Sequence, residues 1–251
     1  MEKGTSLTTR FISRALTEET KQEIDVLVLS LRSGPLTVPN FEDELKDYYE
    51  IVTIDDGLTL RRYTSYEYKA INTVLRGDVW DYEVLGKRTE ERVKELLEYA
   101  DDFSSLIDLF PRVKSSFMTY RGTTIEEFKE YGIDTLEDLL SLKGKFLYEK
   151  GFTSTSIEES SSFYNKKSGL GVLRNIEVKY IIPEGSQDGI PLIKEEISYA
   201  TNEMEYLLNK NSLSKVIDVK IEGENAIITA VLIPKKIWDK PPKEDVANHQ
   251  K

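Results

Sequence analysis

Ser116-Phe117-Met118-Thr119-Tyr120-Arg121-Gly122 is where the hydrophobic period of this 251-residue chain changes, and that change decides the fold class. Phe117 to Tyr120 is a short run of apolar and β-favouring residues. Similar runs follow at Lys145 to Thr155, Val172 to Ile182, Val216 to Ile221 and Ala226 to Ile233. Turn signals such as Pro183-Glu184-Gly185 and Glu222-Gly223-Glu224-Asn225 separate them. Asp134 to Leu142 reads as a helix inserted between the first two strands. Upstream of Ser116 the period is helical. Thr20 followed by Glu23 is a capping-box pattern, and Ile24, Leu27, Val28 and Leu31 then fall at i, i+3, i+4 and i+7. Ser33-Gly34-Pro35 ends that helix. Phe41, Leu45, Tyr48 and Tyr49 make a second apolar stripe. A third helix is predicted to start near Ser65 and stop at Gly77, a good residue just past a helix end. Val93, Leu96, Leu97, Ala100 and Phe103 mark a fourth, with Pro111 closing the segment after it. Helices first and antiparallel strands later predict one α+β domain, with no internal repeat and no low-complexity linker.

Composition narrows the chemistry. The chain has no cysteine, which excludes disulfides, thiolate nucleophiles and cysteine-zinc sites. Its one histidine, His249, stands near the C-terminus in a polar tail, so neither a His-dependent triad nor a multi-His metal site is expected. Carboxylates, arginine, lysine, hydroxyls and tyrosines must do the work. A formal charge of −11 and a pI near 4.9 argue against a nucleic-acid backbone binder, though not against one anion held in a local basic pocket. No apolar run approaches the roughly 20 residues of a membrane span. Arg10, Arg14 and Glu18 interrupt any signal-peptide apolar region, so no signal peptide is visible.

Three pieces of the strand-rich half carry the chemistry: Tyr120-Arg121-Gly122, Gly151-Phe152-Thr153-Ser154-Thr155-Ser156 and Glu203-Met204-Glu205-Tyr206-Leu207-Leu208. Singly each is bland: an Arg-Gly at a strand end is usually surface, a Ser/Thr-rich strand end a turn, and two glutamates at i, i+2 a solvated face. Together they describe a cleft. On a strand, Glu203 and Glu205 project to one side while Met204 packs behind them. Arginine's planar fork binds phosphate bidentately and keeps its charge. Two carboxylates, an arginine and a hydroxyl cluster suit a diphosphate-sugar ligand.

The order Arg, Ser-Thr-Ser, Glu-x-Glu resembles the signature of the arginine-specific mono-ADP-ribosyltransferases, in their cholera-like and actin-modifying toxin branch. Upstream, Tyr63-Thr64-Ser65-Tyr66-Glu67-Tyr68-Lys69-Ala70-Ile71-Asn72 is similar to the NAD-side helix of the clostridial binary-toxin enzymes and the vegetative insecticidal enzymes, with Tyr63, Tyr68 and Asn72 at matching spacing. Tyr68 and Asn72, at i, i+4, share one helical face. The similarity runs from about Asp55 to Pro234. It implies the ADP-ribosyltransferase fold: two antiparallel sheets forming an NAD cleft, with N-terminal helices alongside. Residues 1–40 are then an N-terminal extension with a helix, 41–238 the catalytic domain, and 239–251, with Pro241-Pro242, a disordered tail.

By that resemblance, Arg121, with Gly122 beside it, holds the NAD phosphates. Ser154 lines the nicotinamide side, and Thr155 and Ser156 brace the strand bearing the glutamates. Glu205 hydrogen-bonds the nicotinamide ribose and favours an oxocarbenium-like transition state, for which a fixed carboxylate is the natural stabiliser. Glu203 engages the acceptor arginine, whose protonated guanidinium needs a carboxylate to orient it and take its proton. Rho-modifying relatives, whose acceptor is asparagine, carry Gln there. The loop after Ser156 covers nicotinamide, with Phe163 or Tyr164 as its aromatic and Lys166 or Lys167 as a nearby cation. Two departures stand out. The family's arginine in that loop has no counterpart before Arg174, and the second basic residue many relatives carry after the strand arginine is Gly122 here.

The resemblance therefore implies transfer of ADP-ribose from NAD, the only cofactor and itself a substrate, to a protein arginine, with nicotinamide released and NAD hydrolysis as a side activity. No metal is needed. The partner is a target protein bearing the acceptor arginine, with actin the leading candidate, and the enzyme a monomer without nucleic-acid or membrane partners. It would act as a secreted toxin or effector in the host cytosol; about 50 residues precede the similarity, too few for the docking domain of binary toxins. A phage or bacterial intracellular transferase acting on a bacterial protein is the alternative, as is a catalytically silent binding module of the same fold. A glycoside hydrolase fits less well, since same-face carboxylates cannot flank a sugar bond at the roughly 5 Å or more it needs.

Overall fold

A computed structural model describes residues 16–77, 90–167 and 171–239. Among the described residues five helices precede the strands: α1 Glu18–Ser33, α2 Glu42–Ile51, α3 Ile54–Arg62, α4 Tyr68–Arg76 and α5 Glu90–Asp108. The strands are β1 Phe117–Thr123, β2 Phe146–Glu149, β3 Thr153–Ser156, β4 Ile176–Ile182, β5 Gly189–Leu192, β6 Glu205–Leu208, β7 Ser212–Glu222 and β8 Asn225–Ile233, followed by the short helix α6 Lys235–Trp238. His249, Arg10, Arg14 and the expected tail from residue 240 onward lie outside the described residues.

The α+β class is as the sequence predicts, and the sheet adds detail. All eight strands form one hydrogen-bonded ladder in the order β2-β7-β8-β4-β1-β3-β6-β5. The link between β1 and β3 is a single register pair, Tyr120 with Ser156, so the two expected sheets are the five-strand and three-strand ends of one ladder. One pairing departs from the antiparallel expectation: β4 and β8 run parallel, with Ile176 opposite Ala226.

Strand alternation distributes the core. Ala226, Ile228 and Ala230 of β8 pack with Phe128, Leu139 and Leu142 from two 3₁₀ segments, while Val231 and Ile233 pack with Ile24 and Val28 of α1. The three-strand end rests on the helices: Leu207, Ile190 and Leu192 join Leu45, Tyr48, Ile71, Leu96 and Phe103 in the largest apolar cluster. Tyr206 stacks on Phe41 and meets Phe117 edge-on, which fixes the strand that starts at Glu205 against α2 and β1.

Four local readings are corrected. The first helix is capped by Thr17, whose hydroxyl oxygen accepts the Thr20 N–H at 3.1 Å; Thr20 is inside the helix and buried. The third helix begins at Ile54, not near Ser65, because Thr53 and Asp56 make a reciprocal capping box. It continues through a π turn, Tyr63–Glu67, into α4, which ends as expected at Gly77 with φ +90°. The Asp134 to Leu142 helix is a 3₁₀ segment, Glu137–Leu142, preceded by another at Ile125–Tyr131. The run Lys145 to Thr155 is two strands, β2 at one sheet edge and β3 in the other half, divided at Gly151.

Candidate functional site

A cavity of about 730 Å³ opens where the π turn and α4 face the junction of β1, β3 and β6, a size ordinary for a small-molecule site. Tyr63, Tyr68, Asn72, Arg121, Gly122, Ser154, Thr155, Ser156, Phe163, Glu203 and Glu205 all line it. The topology explains how. β1 and β3 meet at Tyr120 and Ser156, and β3 pairs with β6 so that Ser156 lies opposite Glu205 and Ser154 opposite Leu207. Three segments far apart in sequence thereby converge at adjacent strand ends.

The Glu-x-Glu strand reading is corrected here. Glu203 ends a 3₁₀ turn, Thr201–Glu203; Met204 takes a left-handed conformation, φ +47° and ψ +46°; β6 starts only at Glu205. Such a conformation in a non-glycine residue costs about 1–2 kcal/mol. The two carboxylates therefore sit at different depths. Glu205 is 6 % exposed, while Glu203 is half-buried. Burial pushes the Glu205 carboxyl up to about 7; Ser154 beside it and the Arg121 charge pull it down, and Glu203 pushes it further up. Glu203 is also raised by burial, against the opposing charges of Arg174 and Lys166.

The hydroxyls of β3 hold this arrangement. Thr155 Oγ1 donates to the Tyr206 carbonyl at 2.5 Å, and Ser156 Oγ to the Glu203 carbonyl at 2.9 Å. The Ile157 N–H reaches the Met204 carbonyl at 2.8 Å, so both carbonyls flanking the left-handed turn are pinned.

Arg121 donates through Nη1 to the Ser154 carbonyl at 2.9 Å and through Nη2 to Glu127 at 2.7 Å. Burial alone would lower its pKa, but Glu127 and Tyr180 hold it above the usual arginine value; desolvation at the cavity wall would raise Glu127, and the charges of Arg121 and Arg76 together hold it below its ordinary value. Gly122 is explained by space. A Cβ there would lie 2.3 Å from the Tyr164 nitrogen and 2.4 Å from the Phe163 carbonyl carbon, so only glycine lets the Ser162–Asn165 loop cross β1. Its N–H donates to the Ser162 carbonyl at 2.5 Å and is thus engaged by the protein itself.

On the helical wall, Tyr63 is buried and stacked on Phe103 at 4.5 Å. Asn72 donates to the Tyr63 hydroxyl at 3.2 Å and accepts the Phe152 N–H at 2.8 Å, tying α4 to the start of β3. Asn72 can reach that amide because Gly151 has no side chain; a Cβ there would meet Asn72 Oδ1 at 2.6 Å. Tyr68 is the open member of the trio, 40 % exposed. Phe163, rather than Tyr164, lines the cavity, at φ +59°, with Arg174 over its ring at 5.1 Å and Lys166 at 5.3 Å. Backbone pairing between Asn165 and Arg174 folds the loop back and returns Arg174 to the cavity.

Sequence reasoning missed Arg76, Glu127 and Phe152 among the lining residues. Arg76 was detectable, since Tyr68, Asn72 and Arg76 recur every four residues on one helical face. Among the described residues no group of three or more His, Cys, Asp or Glu could hold a metal ion, and no helix is long and apolar enough to cross a membrane.

A family model described as ADP-ribosyltransferase exoenzyme matches residues 41–235. Among solved structures, C3stau2 from S. aureus, determined with NAD, aligns with a TM-score of 0.58 at 18% identity, covering 78% of this chain and 97% of that one. The Clostridium limosum C3 exoenzyme gives 0.56 at 18% identity over 80% and 98%. BECa, the ADP-ribosylating toxin of a C. perfringens binary enterotoxin, determined with NADH, gives 0.57 at 21% identity over 76% of this chain and 46% of that one. No curated protein matches. At these identities the structural likeness is one of fold, and the family model, which spans most of the sequence and every residue of the cavity, supplies the rest: the chain belongs to the ADP-ribosyltransferase exoenzyme family, whose substrate is NAD.

Proposed function

We propose that the chain moves ADP-ribose from NAD to an arginine of a target protein. The observation that carries this reading is the pair of carboxylates at two depths of one cavity, Glu205 buried and Glu203 half-buried. Arg121 holds the diphosphate and Ser154 lines the nicotinamide side. The glycosidic bond to nicotinamide breaks, and Glu205 stabilises the cationic ribose that results. Glu203 orients the incoming guanidinium and takes its proton as the new C–N bond forms, which an amide at 203 could not do. Phe163 covers nicotinamide. The enzyme acts as a monomer and needs no metal. Its setting is that of a toxin or effector delivered into a host cell, with actin the first acceptor to test. A bacterial acceptor is the second.

The test is incubation of the protein with labelled NAD and a eukaryotic lysate, beside Glu203→Gln and Glu205→Gln. Labelling should vanish in both variants, while nicotinamide release survives in Glu203→Gln alone. Undiminished arginine labelling by Glu203→Gln would defeat the assignment. A folded wild type that neither labels protein nor releases nicotinamide would leave a binding module.

A further inference from the structure

We propose that Lys179 of β4 is a positioning residue for the loop that carries Phe163: its ammonium clasps Glu159, where that loop begins, and so holds Phe163 over the cavity. The inference rests on reading Phe163 as the cover of nicotinamide. Lys179 is not among the residues that line the cavity, whereas Ser161, Ser162 and Phe163 are. Its Nζ reaches Glu159 Oε1 at 2.7 Å and Glu177 Oε2 at 3.2 Å. Glu159 opens the 3₁₀ turn Glu159–Ser161, directly ahead of Ser162 and Phe163. Glu177 and Lys179 stand two residues apart on β4 and so project to the same side of the sheet. Across the register Glu177 lies opposite Gly122, where the loop crosses β1, and Lys179 lies opposite Tyr120.

The three charges lie at different depths, and that gives each its part. The Glu177 side chain is 1% exposed, with one carboxylate oxygen buried and making no hydrogen bond, so it is a fixed negative charge under the loop. The Lys179 ammonium lies in front of it, 5.4 Å from the centre of the Tyr120 ring, and Glu159 stands at the surface. Burial would lower the Lys179 pKa, but Glu159 and Glu177 hold it above the usual lysine value, so the ammonium keeps its charge. A lysine on a strand would otherwise reach for water; here a carboxylate on each side keeps it in place. The loop needs such a hold. Phe163 and Asn165 both take left-handed backbone, φ +59° and +56°, which persists only where the surroundings fix it. Backbone bonds hold the middle and the far end of the loop, Gly122 N–H on the Ser162 carbonyl and Asn165 N–H on the Arg174 carbonyl. The Lys179–Glu159 pair ties the near end to the sheet.

Initial-rate kinetics of NAD hydrolysis by the full chain, with ADP-ribose as competitive inhibitor, test this, because ADP-ribose lacks the nicotinamide that the loop covers. Lys179→Met should raise the KM for NAD by about 5- to 10-fold with kcat little changed, and leave the inhibition constant of ADP-ribose as in the wild type. Lys179→Arg, which keeps the charge, should recover most of the loss. Glu159→Gln, at a side chain 57% exposed, should raise KM by a smaller factor, and it carries the test if Lys179→Met fails to fold. Phe163→Ala should raise KM by itself, and adding Lys179→Met to it should raise KM no further. Wild-type KM in folded Lys179→Met would overturn the proposal, as would equal weakening of NAD and ADP-ribose or a further rise in the double variant. If Phe163→Ala raises KM and Lys179→Met does not, only this inference falls. Wild-type KM in Phe163→Ala, or a folded wild type that releases no nicotinamide, overturns the reading of the site and this proposal with it.

Discussion

Replacing Glu205 by glutamine should make the protein more stable, by an amount that grows from about pH 4.5 and is complete above about pH 7. The carboxyl is 6 % exposed and is displaced from 4.5 to about 7, mainly by burial. Between those values the folded chain keeps a proton that the unfolded chain has lost. The native state then binds more protons than the unfolded one, so stability falls as pH rises through this window. Above about pH 7 both states are ionised and the full cost is in place. At 1.36 kcal/mol for each pH unit, the displacement corresponds to about 3 kcal/mol. Glutamine has the same shape, can still accept from Ser154 and carries no charge at any pH. For a chain of this size about 3 kcal/mol is roughly 6–12 °C in Tm. Thermal melts of both proteins from pH 4 to pH 8.5 should therefore coincide at the acid end and separate progressively, with the variant higher. Catalysis should move the other way, with NAD cleavage falling by about 10²–10³. A Tm difference independent of pH, or a variant that melts lower at pH 8, would refute the argument that Glu205 is held against its own ionisation.

The same carboxyl sets the pH profile of the reaction: kcat/KM for NAD hydrolysis should rise through about pH 7, where Glu205 ionises; Ser154→Ala should move that rise to higher pH and Glu203→Gln to lower pH, as rate measurements across the range would read. Gly122→Ala forces a Cβ into the Phe163–Tyr164 backbone and should cost about 1–3 kcal/mol while raising the KM for NAD, measured by denaturation and by initial rates. Asn72→Ala strands the Phe152 N–H, whose side chain is 1 % exposed, and should cost about 1–3 kcal/mol in urea unfolding.

Much of the site is legible in the sequence because its residue types are rare in combination, and strand-end motifs keep their local meaning wherever the sheet places them. Tyr120-Arg121-Gly122 and Ser154-Thr155-Ser156 need only lie at adjacent strand ends to converge, and the Tyr120–Ser156 pairing does that. What escaped depends on contacts remote in sequence. The parallel register of β4 on β8 has no local signal, and the division of Lys145 to Thr155 into two strands depends on Gly151 yielding to Asn72, about eighty residues away. The early start of α3 was readable in Thr53 and Asp56, but Gly57 in the first turn and the absence of a strong apolar stripe hide it. Arg76 escaped because an arginine in the last turn of a helix has an ordinary explanation in the helix dipole.

The Met204 turn has a different origin, and it bears on what the two glutamates can do. On a regular strand Glu203 and Glu205 would share one face at similar depth, and each charge would oppose the other's ionisation. Nothing local predicts otherwise, since methionine has no preference for left-handed backbone. The turn persists because its surroundings fix it: Ser156 holds the Glu203 carbonyl, Ile157 the Met204 carbonyl, and the buried Tyr206 ring anchors the strand that follows. Glu203 is thereby lifted toward Arg174 and Lys166, whose charges favour its ionised form, while Glu205 stays below beside Ser154 and Arg121. The two serines of β3 thus serve different glutamates, Ser154 through the side chain of Glu205 and Ser156 through the backbone of Glu203. A strained residue between two carboxylates, held by hydrogen bonds from the neighbouring strand, is how one short segment gives two identical side chains unlike environments.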